Sequence, residues 1–140
     1  MPSKTTSITN DAFYKNENLV SIDMSLTKIT SIPNGINGSA GTFRESYNIV
    51  SIILPPSLIS IGYGAFYKCS SLTSVTIPDG VTTIGASAFA NCSSLTSITI
   101  PDSVTSIGMY SFNNCTNLTS ITIPDGVTTI GDSTFKIALP

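Results

Sequence analysis

Apolar and polar positions alternate in short bursts along this chain, and each burst is copied further on. In Leu72-Thr73-Ser74-Val75-Thr76-Ile77-Pro78 the alternation puts Val75 and Ile77 on one face of an extended segment and Ser74 and Thr76 on the other. The string returns from Leu95 and from Leu118, a step of 23 residues. Proline lacks an N–H donor and closes each strand. Asp79-Gly80 and Asp125-Gly126 follow with turn chemistry. Thr82-Thr83-Ile84-Gly85 predicts a second, shorter β segment, left through a glycine that supplies a conformation or a packing space other residues resist. Ala88-Phe89-x-x-Cys92 reads as one helical or 3₁₀ turn whose Phe and Cys, three apart, face inward together.

The columns are regular: Pro55, Pro78, Pro101 and Pro124; Ile61, Ile84, Ile107 and Ile130, each followed by Gly; Phe66, Phe89, Phe112 and Phe135; Cys69, Cys92 and Cys115. Upstream the register continues through Phe43, with Ile49, Ile52 and Leu54 in the strand columns. Phe13 stands 30 residues before Phe43, so one unit carries seven extra residues, placed near 33–42 around Pro33-Asn34-Gly35-Ile36-Asn37-Gly38. Leu19, Ile22 and Met24 fill that unit's strand. The chain is then one domain, 1–140, of about five 23-residue units with partial units at both ends. One unit cannot bury its own apolar face, but units stacked at about 4.8 Å make every column a ladder and give a continuous core.

The run from Leu72 to Gly85, followed by Ala88-Phe89-Ala90-Asn91-Cys92-Ser93-Ser94, resembles the BspA-like leucine-rich repeat family. The resemblance implies a mainly β, right-handed solenoid: a parallel sheet on the concave side, short second strands, and 3₁₀ or helical turns on the convex side. It also implies a binding role, since members occur as bacterial surface proteins in host attachment. Asn16 and Ser46 in the Cys column and Ser25 in the Pro column depart from the pattern.

Composition narrows the chemistry. Only 10% of the 140 residues are charged, against about 25% in ordinary globular proteins. Twenty-two Ser and nineteen Thr supply the polar surface instead. A formal net charge of −2 offers no single-sign field for nucleic acid or an anionic membrane. The absence of His removes Ser-His-Asp and Cys-His nucleophile activation and His-ligated metals. No nucleotide loop or catalytically spaced carboxylate pair is present, so the expectation is a non-catalytic protein without a cofactor. With no secretory h-region and no long apolar run, the chain as written is expected in the cytoplasm and not inserted in a membrane.

The three cysteines sit one per unit, as Phe and Ile do, which favours a buried thiol ladder over a metal or disulfide site. Asp79, Asp102 and Asp125 form a column that a Ca²⁺ ion could use, though one carboxylate per turn is more simply a cap for backbone N–H groups. Asn-x-Ser/Thr acceptors stand at Asn37, Asn91, Asn114 and Asn117, two of them products of the repeat itself.

The concave face is the expected protein-binding surface. Its outward columns are Ser21, Ser51, Ser74, Ser97 and Ser120; Asp23, Ile53, Thr76, Thr99 and Thr122; and Val20, Val50, Thr73, Thr96 and Thr119. Hydroxyl ladders serve solubility, so ligand information concentrates in Val20, Asp23, Val50 and Ile53. Two placements compete for Ile53: on the open face, or covered by the inserted segment as a local core residue. The expected partner is a protein, as an interaction partner or scaffold. The rivals are attachment to a host or matrix glycoprotein, and a structural segment of a longer array. Thr5 to Asp11 reads as a partial cap, and Ile137-Ala138-Leu139-Pro140 as a final strand whose open edge favours end-to-end homo-oligomers.

Overall fold

Alternating burial selects the inner face of the strands in the middle of the stack. In the computed structural model, which describes residues 1–35 and 41–137, Ser74–Thr76 reads exposed, buried, exposed, and Ser97–Thr99 repeats it. Strands β1 (Ser21–Asp23), β3 (Ser51–Ile53), β5 (Ser74–Thr76) and β7 (Ser97–Thr99) pair in parallel to form one sheet in that order. Strands β2 (Ser31–Ile32), β4 (Ser60–Ile61), β6 (Thr83–Ile84), β8 (Ser106–Ile107) and β9 (Thr129–Ile130) form a second. The pairing register follows the sequence columns: Ile52 lies opposite Ile22 and Val75, and Ile84 opposite Ile61 and Ile107. The fold is a parallel-strand β-solenoid.

We number the units 1 (17–46), 2 (47–69), 3 (70–92), 4 (93–115) and 5 (116–136). The register divides the seven extra residues of unit 1. Ten residues lead from Ile22 to Ile32, where nine lead from Ile52 to Ile61. One addition therefore lies between β1 and β2, and six follow β2. Residues 36–40 of that stretch, with the Asn37 acceptor, lie outside the described residues, as do 138–140 of the expected final strand.

Two sequence expectations are corrected. The convex side holds no helix among the described residues; Ala65-Phe66-x-x-Cys69 and its copies are consecutive turns. The hydrogen bonds show why. Ala65, Tyr67 and Cys69 donate to the carbonyl three residues back, but the intervening Gly64, Phe66 and Lys68 donate to Ala86, Ala88 and Ala90 of the following unit. Every second N–H is taken by the stack, so no continuous i→i−3 series forms. Units 3 and 4 repeat this arrangement. At the sheet edges the direction reverses: Val50, Ile59 and Gly62 donate to Val20, Thr30 and Ile32 of the preceding unit. The second correction is in unit 5, which contributes no strand to the first sheet, so Ser120 and Thr122 lie outside it.

Six phenylalanine rings, from Phe13 to Phe135, stack through the core at 5.1–5.7 Å with interplanar angles of 2–9°. Phe43, Phe66, Phe89 and Phe112 are buried. The glycine after each inner Ile is required by space. A Cβ on Gly85 would sit 2.7 Å from the Gly62 carbonyl carbon, and one on Gly108 2.4 Å from the Ala86 nitrogen. At the N-terminal end the Lys28 N–H donates to the Thr5 carbonyl at 2.8 Å, and Ile8 packs against the core.

Candidate functional site

Period-two alternation leaves the outward side of the first sheet open. On it Val20 is 56%, Val50 41% and Ile53 53% exposed. Ile53 is therefore a surface residue, lying between Asp23 of β1 and Thr76 of β5. The next unit carries Thr73 and Thr76 in the same columns, and the one after that Thr96 and Thr99. These hydroxyls are partly engaged in the stack: Thr73 donates to the Val50 carbonyl and Thr96 to the Thr73 carbonyl, each at 3.2 Å. Ser21, Ser51, Ser74 and Ser97 are exposed beside them.

Asp23, the one acidic member of these columns, is engaged locally. Its carboxylate accepts the Ser25 N–H at 2.8 Å, and hydrogen bonds from Ser25 hold its carboxyl below the ordinary aspartate value. The N-terminal amine donates to the Asp23 backbone carbonyl at 2.9 Å. Beyond β3, Ile52, Ile53, Leu54 and Pro56 of unit 2 meet Thr76 and Pro78 of unit 3 around a shallow groove of about 260 Å³.

Cys69, Cys92 and Cys115 are free and buried. Each thiol donates to a phenylalanine carbonyl one unit back, those of Phe43, Phe66 and Phe89, at 3.0–3.2 Å. Burial pushes the Cys69 and Cys115 thiols up to about 12 and Cys92 well above its ordinary value. Such thiols are poor nucleophiles and poor metal ligands. Among the described residues no three His, Cys, Asp or Glu side chains gather as a metal site, and Asp79, Asp102 and Asp125 are exposed turn residues.

One charged cluster escaped the sequence reading. Glu45 is 8% exposed on the turn side and takes Lys15 at 3.6 Å, Arg44 at 3.6 Å and Lys68 at 3.5 Å. The Arg44 guanidinium lies 4.7 Å from the Tyr67 ring centre. The signal was present: Lys15, Glu45 and Lys68 occupy one column, so stacking alone places the carboxylate between two ammonium groups. All three adopt left-handed backbone, with φ of 51°, 58° and 60°.

A family model described as a BspA type leucine rich repeat region matches residues 1–36 and 37–138, in six copies. Among solved structures, a leucine-rich repeat protein of T. pallidum superposes with a TM-score of 0.75 at 27% identity, over 84% of this chain and 54% of its own. One from Bacteroides ovatus gives 0.54 at 23% identity, over 91% of this chain and 43% of its own. The chain thus spans about half the length of these solved relatives. No curated protein matches it.

Proposed function

Because the chain belongs to the BspA-type leucine-rich repeat family, we propose that it is a non-catalytic protein-binding module that docks its ligand on the open face of the first sheet. One observation carries the reading. Val20, Val50 and Ile53 stand exposed on a face whose corresponding positions in units 3 and 4 are all threonine. The repeat builds the same strand without an apolar exterior, so these side chains are not a requirement of the fold. Exposed aliphatic clusters of this kind mark interaction surfaces. Reactive groups are scarce, since the thiols are buried and the chain has no histidine.

The test is comparative capture. Immobilised chain and its Val50→Thr/Ile53→Thr variant are exposed to extracts and culture medium of the source organism and to matrix glycoproteins. The reading requires proteins held by the first and lost by the second, with unchanged melting of the variant. Retention abolished by enzymatic deglycosylation of the ligand assigns the narrower role of attachment to a glycoprotein. Equal retention by both chains overturns the proposal and leaves a structural repeat segment.

A further inference from the structure

The apolar exterior does not stop at the sheet. Five outward positions of unit 2 fall three residues apart: Tyr47, Val50, Ile53, Pro56 and Ile59. All are exposed, Tyr47 by 43% and Ile59 by 51%. Unit 3 carries Ser70, Thr73, Thr76, Asp79 and Thr82 in the same columns, unit 4 Ser93, Thr96, Thr99, Asp102 and Thr105, and unit 5 Thr116, Thr119, Thr122, Asp125 and Thr128. Every column that is hydroxyl or acid in three units is apolar in this one. The run crosses the first sheet through β3, turns the corner at Pro55-Pro56, and reaches the edge of the second sheet at Ile59, just before β4. It is a transverse band around one unit, perpendicular to the stacking direction. Unit 1 extends it only at Val20 and at Leu26, which is 71% exposed.

Charge is distributed along the corner in one direction. Beside Pro56 the same column continues as Asp79, Asp102 and Asp125, all exposed. The ion pairs of Lys15, Arg44 and Lys68 all converge on Glu45, on the turn side. Lys28, Lys4 and the N-terminal amine belong to unit 1 and to the segment that precedes it, Lys4 adjoining the Thr5 that takes the Lys28 N–H. A ligand over the band therefore meets apolar surface on unit 2 and carboxylates from unit 3 onward. The groove between Ile53 and Pro56 on one side and Thr76 and Pro78 on the other opens at that junction.

We infer that the band of unit 2 binds an extended polypeptide segment of a partner protein, laid across the solenoid and around its corner, with apolar side chains on Ile53 and Ile59 and a Lys or Arg reaching Asp79. The inference rests on the protein-binding reading above and changes its geometry: the second-sheet edge takes part, whereas a ligand confined to the first sheet would not touch Ile59. Apolar contact supplies affinity, and the carboxylate of Asp79, beside the middle of the band, selects segments that carry a cation there.

The experiment uses a random dodecapeptide display library selected on the intact chain. Selected peptides are then measured against Ile53→Thr, Ile59→Thr, Asp79→Asn and Thr105→Ala. The first two install the residues found at Thr76 and Thr82, so the repeat already tolerates them, and thermal melting confirms the fold. The expected result is peptides that join aliphatic or aromatic residues to Lys or Arg. Their affinity falls at least tenfold with Ile53→Thr and with Ile59→Thr, several-fold with Asp79→Asn in low salt, and not at all with Thr105→Ala. Loss with Ile53→Thr but not Ile59→Thr overturns the transverse band and leaves the sheet-face reading standing. Indifference to all four variants, or no selected peptide, removes both. Sedimentation that shows self-association abolished by Ile53→Thr or Ile59→Thr makes the occupant a second copy and overturns the assignment to another protein.

Discussion

The thiol of Cys69 and the hydroxyl of Ser46 hold equivalent positions one unit apart, each donating to the carbonyl of a phenylalanine in the unit before, Phe43 and Phe13 respectively. Ser46 is thus a chemical substitute in the Cys column, although it breaks the sequence pattern. Cys92→Ser should then cost no more than about 1 kcal/mol, because the small donor and its carbonyl acceptor are both retained. Cys92→Leu should cost about 1–3 kcal/mol or more by overfilling a closed column. Urea unfolding of the two variants measures the difference, and equal losses would remove the hydrogen-bond account.

The thiols also set an alkaline limit on stability. Below the unfolded value near 9 they are protonated whether the chain is folded or not, and their contribution is intact. As pH rises further, the unfolded chain releases protons that the folded one keeps, so stability falls until the folded thiols titrate near 12. The slope approaches about 1.4 kcal/mol per pH unit for each thiol. Replacing all three cysteines by serine should flatten the decline between about pH 9 and 11, read from urea midpoints. A parallel decline in both proteins would overturn the thiol account.

Two backbone positions should respond in opposite directions. Gly85→Ala drives a Cβ into the backbone of Gly62 and Tyr63 and should destabilise by about 1–3 kcal/mol or more. Ser87 holds φ at 54° in the column where Gly64 holds 62°. A non-glycine residue in that region costs about 1–2 kcal/mol, and glycine gives back about 0.5–1 in chain entropy, so Ser87→Gly should stabilise by a few tenths to about 1 kcal/mol. Calorimetric melting of both variants gives the signs directly.

Ser111 is fully buried, and among the described residues its hydroxyl has no hydrogen-bond partner. Its column holds Ala65 and Ala88 in the two units before. Thr134, one unit on, reaches the Gly131 carbonyl at 2.6 Å. Ser111→Ala removes an unpaid desolvation and should stabilise by about 1 kcal/mol. A loss of stability on urea titration would show that Ser111 has a partner after all.

What could be read in the sequence depended on whether a property follows from periodicity. Val75 inward and Thr76 outward follow from alternation; the ring ladder from Phe66 to Phe112 follows from a fixed step. Alternation also puts Ile53 in an outward column, but it allows two placements, exposed or covered by the inserted segment, and the structure leaves the side chain 53% exposed. Val20 and Val50 depart from alternation, since each adjoins an exposed serine, Ser21 and Ser51. The turn after Ala65 was less legible. Phe66 and Cys69 are three apart in a helical turn and in consecutive turns alike, and only the N–H of Phe66, directed to Ala88, separates the two. The bond from the Ser25 N–H to the Asp23 carboxylate is not readable from the columns, because it belongs to a local turn of this one unit. The column of Lys15, Glu45 and Lys68 was readable, but a charge between two others is seen only when the stacked columns are examined for sign.

The opposed hydrogen bonds between units have an electrostatic consequence. In unit 2 Val50, Ile59 and Gly62 aim their N–H groups toward the preceding unit, and Gly64, Phe66 and Lys68 toward the following one. Outside the strand ladders, peptide dipoles of one unit thus run both ways along the stacking axis. An α-helix adds all its dipoles in one sense and ends in about half a charge at each pole; here the two sets oppose each other. An array of such units can therefore lengthen with less polarity between its ends than a helix acquires.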